Sequence, residues 1–480
     1  MDRRMFLKGS VAGMAMLDAS YRQAAALEEL LGASLARMPV RKSLDIKASS
    51  LSVGVEVLDR RGFEPEKTYP YLEKLGVKWA RCQTGWGRCE TRRGRYNFSW
   101  LDEVVDALLN IGIQPWFNVG YGNRLYTLGA VDEAAVGFTP IYDEAAMMAW
   151  LKYVEALVKH FSGRVSHYEV WNEPNHPGFW RPRDPNEVDY VRLLARTAPV
   201  IRAADPGAKV IGGAFAGIPV DYISRCFREG MQEHIDILSF HPYRACPERK
   251  YADEIQRLRK VLSVNDADCL LWQGENGCPS VGGAGSTGAL SDLPWDETLQ
   301  AKWLLRRILT DLKAGLALTS YFHIVDLVGY RGETNYKGLL RGTDYTPKPA
   351  YFAYQYLCAL FDSDTKLLDR QQILTCQPTQ GVSADSKDAI QHACFSRNGK
   401  LLYASWYAAD LMEPSHDGHL SIRMKKTMDV SLADPVLLDP LSGDIYKFED
   451  IQVKGSVIEI RNMPLRNYPL LLADRAVLKH

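Results

Sequence analysis

The chain has 480 residues, of which 46% are hydrophobic, and it carries 58 basic and 58 acidic side chains, a formal net charge of zero. Such a composition is typical of a packed globular protein long enough for more than one domain. The charge balance argues against strong attraction to nucleic acid or to an anionic membrane surface, because both need a clear excess of basic residues. A neutral or weakly charged ligand is expected instead.

The N-terminus has features of an export signal. Arg3 and Arg4 directly precede the sequence MFLK, and a short apolar stretch rich in small residues follows. This pattern resembles a twin-arginine export signal and predicts a periplasmic or secreted protein, with an ordinary basic N-terminus as the alternative. We assign residues 1–47 to this signal and a linker. No later stretch approaches the ~18 consecutive apolar residues that span a bilayer, so membrane insertion is not expected.

Nine cysteines lie at irregular spacings along the chain. Because the number is odd, at least one of them has no partner within the chain. Cys82 and Cys89 are close enough in sequence to pair in an oxidising compartment, but buried free thiols are the simpler interpretation.

From about residue 50 the chain alternates short apolar runs with segments of helical periodicity. Continuous apolar runs are typical of parallel strands buried on both faces, and the total length is near the ~250 residues of a (β/α)8 barrel. We therefore predict a TIM barrel over residues 48–362. A doubly wound sheet is the second choice, because no glycine-rich phosphate turn follows the first strand. The predicted strands are 51–57, 77–83, 113–119, 165–172, 208–214, 235–241, 269–275 and 317–324.

The pattern changes after the predicted barrel. Residues 363–480 lose long helical periodicity and show short alternating runs that are separated by turn dipeptides. The sequence RNGK at 397–400 predicts a tight hairpin, since Asn-Gly readily adopts positive φ angles. We predict a small β-sandwich domain for this region.

Polar residues stand at the predicted carboxyl ends of several barrel strands, where the reactive groups of such barrels lie. The fourth strand ends in Asn172-Glu173 and the seventh in Glu275. Two carboxyl groups at one mouth suit glycoside hydrolysis, since one protonates the leaving oxygen while the other attacks the anomeric carbon or activates water. Arg81 after the second strand and the hydroxyl of Tyr243 after the sixth are expected to keep Glu275 ionised, which leaves Glu173 as the acid.

The segment YEVWNEPN at 168–175 resembles the fourth-strand motif of the retaining glycosidases of glycoside hydrolase clan A. Trp171 and Asn175 bring it nearest to family 39, the β-xylosidase and α-L-iduronidase group. The stretches LGVKWARCQTGWGRCETRRGRYNFSW, ADPGAKVIGGAF and TPKPAYFAYQ agree, so the resemblance covers about residues 50–360. The chain departs from the family at GENGCPS after the seventh strand and in SYFHIVDL, which has no tryptophan platform. These departures leave the identity of the sugar open.

The resemblance implies a role for each matching residue. It makes Glu173 the acid/base and Glu275 the nucleophile, while Asn172 binds the sugar 2-hydroxyl. Arg81 and Tyr243 would orient Glu275. The residues assigned to the substrate site are Asn172, His241, Tyr243, Arg81, Asn118 and Trp180.

Aromatic residues near the mouth are candidates for stacking on sugar rings. Trp180 follows the fourth strand in a loop and is predicted to shape a leaving-group site, whereas Trp86, Trp116 and Tyr121 fit the core equally well. Glu169 shares a strand face with Glu173 by alternation, and we expect it to be a paired structural charge inside the barrel.

The sequence thus predicts an exported retaining glycosidase that acts on a carbohydrate substrate through two glutamates, with a β-xylosidase-like exo-acting enzyme as the first choice. No metal or other cofactor is predicted, since neither His-x-x-x-His nor Cys-x-x-Cys spacing occurs. The alternatives are a non-catalytic carbohydrate-binding barrel, an endo-acting glycanase of the same clan and, more remotely, a metal-dependent barrel enzyme. Nothing in the pattern specifies an oligomeric state.

Overall fold

The computed structural model of the protein describes residues 26–330, 332–369, 372–381, 389–413, 417–425 and 430–479. The twin-arginine-like signal at Arg3-Arg4 lies outside the described residues. Among the described residues, no helix combines the length and the apolar character that crossing a lipid bilayer needs. The predicted domain boundaries after residues 47 and 362 stay predictions.

Parallel strands close into a barrel in chain order, and the predicted TIM barrel is confirmed. Ser52 pairs with Ser320, which joins the first barrel strand to the last. The fourth strand ends at Val170, two residues earlier than the sequence pattern suggests, because the chain turns at Trp171 into the loop that carries Glu173. The eight strands are Leu51–Gly54, Trp79–Gln83, Gln114–Val119, His167–Val170, Lys209–Ala216, Ile237–His241, Leu270–Asn276 and Leu318–Tyr321.

Helices alternate with the barrel strands along the chain. Three of the long helices begin after a side-chain cap: Asp143, Asn186 and Asp296 each accept a hydrogen bond of 2.7–2.8 Å from a backbone N–H three residues later. The α-helices are Tyr69–Leu75, Trp86–Cys89, Ser99–Asn110, Glu144–Phe161, Glu187–Ala204, Val220–Arg228, Tyr251–Val264, Glu297–Ala314 and Pro349–Leu360, with a helical segment at 26–31. Short 3-10 turns lie at Ser43–Asp45, Leu58–Arg60, Pro65–Lys67, Pro140–Tyr142, Met231–Glu233 and Arg475–Leu478.

Two antiparallel sheets form the C-terminal region, as the predicted sandwich requires. The larger sheet contains, in spatial order, Ala36–Arg37, Asp444–Lys447, Pro435–Asp439, Leu470–Asp474, Lys400–Tyr407, Ile390–Arg397 and Thr365–Leu367. The smaller sheet contains Ile373–Gln380, Gly418–Lys425, Val457–Leu465 and Ile451–Lys454. A two-stranded hairpin, Leu327–Tyr330 with Glu333–Asn335, follows the last barrel strand.

The predicted RNGK hairpin is present in the larger sheet. Asn398 and Gly399 have φ angles of 49° and 73°, as a tight turn with two left-handed residues requires. They join two strands that pair along eight residues each. The N-terminal strand Ala36–Arg37 also belongs to this sheet, because it pairs with Ile445 and Asp444. The chain therefore contributes to the C-terminal sheet before it enters the barrel.

A buried ion pair joins the barrel to the C-terminal region. Arg306 Nη2 lies 2.7 Å from Glu248 Oε2, and Trp406 Nε1 donates to the other oxygen of Glu248 at 2.6 Å. Burial alone would raise the pKa of Glu248, but Arg306 and these hydrogen bonds outweigh it and lower the pKa to about 2. Removing one partner of a buried pair costs about 3–5 kcal/mol, because the other charge stays buried.

Candidate active site

Glu173 and Glu275 meet in a cavity of about 400 Å³ that Asn172, His241 and Tyr243 also line. An oxygen of each glutamate and a ring nitrogen of His241 all lie within 4.8 Å of one another. Nδ1 of His241 is 3.1 Å from Oε1 of Glu173 and 3.8 Å from Oε2 of Glu275. Five residues singled out from the sequence therefore converge on one cavity.

Glu275 is held as a carboxylate by its surroundings. Tyr243 donates its hydroxyl to Oε1 at 2.8 Å, and Arg81 donates to Oε2. Burial acts to raise the pKa of Glu275, but the charges of His241 and Arg81 and the hydrogen bond from Tyr243 outweigh it, so the pKa is lowered. An ionised carboxylate in a cavity is the state that a nucleophile needs.

Arg81 lies beneath the cavity as a fully buried positive charge. Its guanidinium contacts Glu169 Oε2 at 2.6 Å and Glu56 Oε1 at 3.2 Å, in addition to Glu275. It also donates to Oδ1 of Asn172 at 2.8 Å. The expectation that Glu169 is a paired charge inside the barrel is confirmed. The contact between Arg81 and Glu275 agrees with the expectation that Arg81 orients this carboxylate, and the side chain of Arg81 is 0% exposed.

Glu56 is a further carboxylate in this cluster. Burial raises its pKa to about 8, although Arg81 acts to lower it. Its Oε2 has no hydrogen-bond partner among the described residues. A Cβ atom added to Gly54 would lie only 2.0 Å from this oxygen. The side chain thus folds back over its own strand in space that only a glycine leaves free. The raised pKa favours the protonated form of Glu56 at neutral pH.

The backbone that carries Glu173 adopts an unusual conformation. Trp171 and Glu173 have φ angles of 72° and 46°, in the left-handed region that non-glycine residues seldom occupy. Glu173 N donates to Ala214 O at 2.9 Å, and Trp171 N donates to Val119 O at 3.0 Å. Neighbouring strands hold the strained segment in place, as is typical of residues positioned for function.

Two residues predicted to contact substrate lie elsewhere. Asn118 is 0% exposed and donates to Glu169 Oε2 at 2.9 Å and to Trp171 O at 2.7 Å, so it supports the Glu173 loop from below. Trp180 is 1% exposed, packs on Trp171 and donates to the hydroxyl of Tyr142 at 2.8 Å. Neither side chain lines the catalytic cavity, and their N–H groups donate to protein acceptors.

The other three aromatic candidates differ in whether they lie in the core or at the catalytic cavity. Trp86 and Trp116 are fully buried in the core. Tyr121 is 1% exposed, yet it lines the catalytic cavity beside Phe179. Only Tyr121 among these three reaches the cavity.

One wall of the catalytic cavity was not predicted from the sequence. It is formed by residues that follow the last barrel strand. Lys337 and Asn335 line the cavity, and Lys337 is 1% exposed. Its Nζ lies 3.5 Å from Oδ1 of Asn335 and 5.9 Å from the ring centre of Tyr243. Burial lowers the pKa of Lys337 to about 8, with Cys278 and Glu275 opposing that effect. The local sequence NYKG has no periodicity that would place this lysine near Glu275.

Glu173, His241 and Glu275 are also the described residues whose ligand atoms are close enough to hold a metal ion. Both oxygens of Glu275 already accept hydrogen bonds, from Tyr243 and Arg81. A cation there would approach the guanidinium of Arg81 and lose energy by repulsion. The donor set therefore suits a reacting sugar better than a resident metal.

Comparison with known proteins gives a consistent result. The model of Glycosyl hydrolases family 39 matches residues 73–442. A β-xylosidase of Geobacillus stearothermophilus is 30% identical over an alignment of 158 positions, which covers 27% of this chain and 30% of the relative. A β-xylosidase of Caldicellulosiruptor saccharolyticus is 25% identical over an alignment of 294 positions, which covers 55% of this chain and 56% of the relative. In both cases the match spans less than two thirds of the relative's length.

Solved structures agree on the fold. A family 39 glycoside hydrolase from Bacteroides cellulosilyticus WH2 superposes with a TM-score of 0.65 at 19% identity, over 91% of this chain and 83% of that one. At this identity the similarity supports the architecture, a barrel with an appended β-domain, and no more.

Proposed function

The chain belongs to family 39 of the glycosyl hydrolases, and we propose that it is a retaining glycosidase that works by double displacement. The observation that carries this proposal is the separation of the two glutamates, whose nearest oxygens lie within 4.8 Å. So close an approach of two carboxylate oxygens fits the carboxyl separation of about 5–5.5 Å in retaining glycosidases better than the about 6.5–9.5 Å with which inverting enzymes admit a water molecule.

In the proposed mechanism Glu275 attacks the anomeric carbon while Glu173 gives a proton to the leaving oxygen. A glycosyl ester on Glu275 forms, and the bond to the leaving group breaks. Glu173 then takes a proton from water, which attacks the same carbon and releases Glu275. Asn172 binds the sugar 2-hydroxyl and is itself oriented by Arg81. The ionised state of Glu275 and the nearby His241 support this division of roles.

For the substrate, we propose a β-xylosidase-like exo-acting activity as the first candidate. The support is that both curated relatives above carry that name. An endo-acting glycanase is the second candidate, because a basin of about 560 Å³ adjoins the catalytic cavity and offers room for further sugar units. The products released from xylan distinguish them, since exo action yields only monosaccharide at early times.

The stereochemical test is proton NMR of the first product from an aryl β-glycoside. Retention of the anomeric configuration is expected, and an inverted first product would refute double displacement. Glu275→Ala should abolish turnover. Glu173→Ala should slow substrates with poor leaving groups by ~10²–10⁴ and largely spare activated ones. Glu144→Ala, which removes an exposed ion pair with Arg196, is the matched control, and added chelator should leave every rate unchanged.

We also propose that the protein is exported, on the basis of the Arg3-Arg4 pattern. Replacing both arginines with lysine should leave the protein in the cytoplasm. Undiminished export of that variant would contradict the twin-arginine route.

A further inference from the structure

A second depression opens directly from the catalytic cavity. It has a volume of about 560 Å³ and shares Val57, Arg60 and Tyr330 with that cavity. The guanidinium of Arg60 lies between the two, 5.6 Å from the ring centre of Tyr121 and 5.8 Å from that of Tyr330. We call this depression the outer basin.

The outer basin lies on the side of the proposed acid. The loop that carries Glu173 continues to Gly178 and Arg181, and both of these residues line the basin. The backbone of Arg181 is fixed there, since its N–H donates to Gly137 O at 2.7 Å. In double displacement the leaving group departs from the acid's side of the sugar. A leaving group therefore enters the outer basin.

The lining of the outer basin contains more basic than acidic side chains. Arg60, Arg61 and Arg181 line it, and among the described residues Asp132 is its one acidic lining residue. Arg60 is paired with the buried Asp59 at 3.2 Å, so Arg61 and Arg181 carry the excess positive charge. Arg61 has only a loose exposed partner, Glu133 at 3.4 Å.

Arg181 forms no ion pair with any described residue and instead stacks over Phe138, with 5.6 Å to the ring centre. The chain as a whole has a net charge of zero, so the local excess of basic side chains in the basin is not a consequence of a basic overall composition. Val136 and Val328 add apolar surface to the same lining.

We propose that the outer basin is a leaving-group subsite for an anionic sugar, one that carries a carboxylate or a sulfate. This proposal rests on the proposed glycosidase function. A guanidinium group binds two oxygens of a planar carboxylate or of a tetrahedral sulfate through paired charge-assisted hydrogen bonds, and the valines suit the apolar face of a sugar ring. The ligand is thus more acidic than the overall charge balance of the sequence suggests.

The test uses phenyl β-xylosides whose leaving ring carries a carboxylate, a sulfate or a neutral carboxamide in the same position. Calorimetry measures how tightly each compound binds to the Glu275→Gln variant, which cannot hydrolyse it. The kcat/KM of each compound is measured with the unaltered enzyme. We expect the charged compounds to bind about five- to tenfold more tightly than the carboxamide, as one to two partly exposed ion pairs allow. The ratio of carboxylate to sulfate affinity identifies the natural anion.

Arg181→Gln should reduce this preference to about twofold or less, and added salt should weaken it. Arg183→Gln is the matched control, because Arg183 is a near neighbour that stacks on Tyr142 and does not line the basin. Equal affinity for all three compounds, or a preference that survives Arg181→Gln, would overturn the subsite. Failure of the unaltered enzyme to hydrolyse any aryl glycoside would instead overturn the glycosidase function, whatever the anion preference.

Discussion

Replacing Tyr243 with phenylalanine should move the acidic limb of the pH–rate profile toward neutral pH. The hydroxyl of Tyr243 donates to Oε1 of Glu275 at 2.8 Å, while Arg81 donates to the other oxygen. The substitution removes this one hydrogen bond and keeps the aromatic ring. Glu275 must be ionised to attack, so its pKa sets the acidic limb of kcat/KM.

The size of the shift follows from the strength of the lost hydrogen bond. A hydrogen bond to a charged group contributes about 1.5–3 kcal/mol, and one pKa unit corresponds to about 1.4 kcal/mol. Losing it therefore raises the pKa of Glu275 by about 1–2 units. Because Arg81 and His241 still stabilise the carboxylate, we expect the lower end of that range.

The assay is kcat/KM for an activated aryl glycoside across the acidic pH range, compared with Tyr168→Phe. Tyr168 is also a fully buried barrel tyrosine, but its hydroxyl donates to Val165 O, away from the carboxylates. Its profile should coincide with that of the unaltered enzyme. If Tyr243→Phe lowers the plateau and leaves the acidic limb in place, the hydroxyl does not tune Glu275 and the reasoning fails.

Two further predictions concern buried ionisable groups. The pKa of Glu56 is raised from 4.5 to about 8, so the folded protein keeps a proton that the unfolded chain loses, and stability falls as pH rises between these values. As pH rises over this range, the melting temperature of Glu56→Gln should therefore increase relative to that of the unaltered protein. A difference that stays constant with pH would contradict the raised pKa of Glu56. The pKa of Lys337 is lowered to about 8, so below that pH the protein carries a buried ammonium group. Lys337→Met should raise the melting temperature at neutral pH, and a lower melting temperature would refute a destabilising buried charge. Because Lys337 lines the cavity and a hydrogen bond from a charged group is worth about 1.5–3 kcal/mol, the substitution should also lower kcat/KM about tenfold or more, and unchanged kinetics would refute contact with the substrate.

The sequence allowed the barrel and the two glutamates to be predicted for a physical reason. Parallel strands buried on both faces read as continuous apolar runs, and the reactive residues follow those runs directly. Glu173 and Glu275 could therefore be placed at one mouth from their positions alone.

Other features of the site depend on how loops fold back, and local sequence does not encode this. Trp180 lies in a loop by pattern, yet the loop returns its indole to the core against Trp171. Lys337 follows a short hairpin after the last strand, and it lines the same cavity as Glu275 together with Asn335 of that hairpin. Contacts of this kind are set by tertiary packing, where propensity and periodicity carry no signal.

The cluster around Arg81 also determines which carboxyl groups are ionised. One guanidinium contacts Glu56, Glu169 and Glu275, and it cannot neutralise three negative charges in a buried site. Because burial raises the pKa of Glu56 to about 8, that residue retains a proton at neutral pH, and the positive charge remains available to Glu275. Above that pH, Glu56 adds a negative charge next to the nucleophile. If the alkaline limb of the kcat/KM profile disappears in Glu56→Gln, that limb reports the ionisation of Glu56. If it persists, it belongs to the proposed acid/base, Glu173.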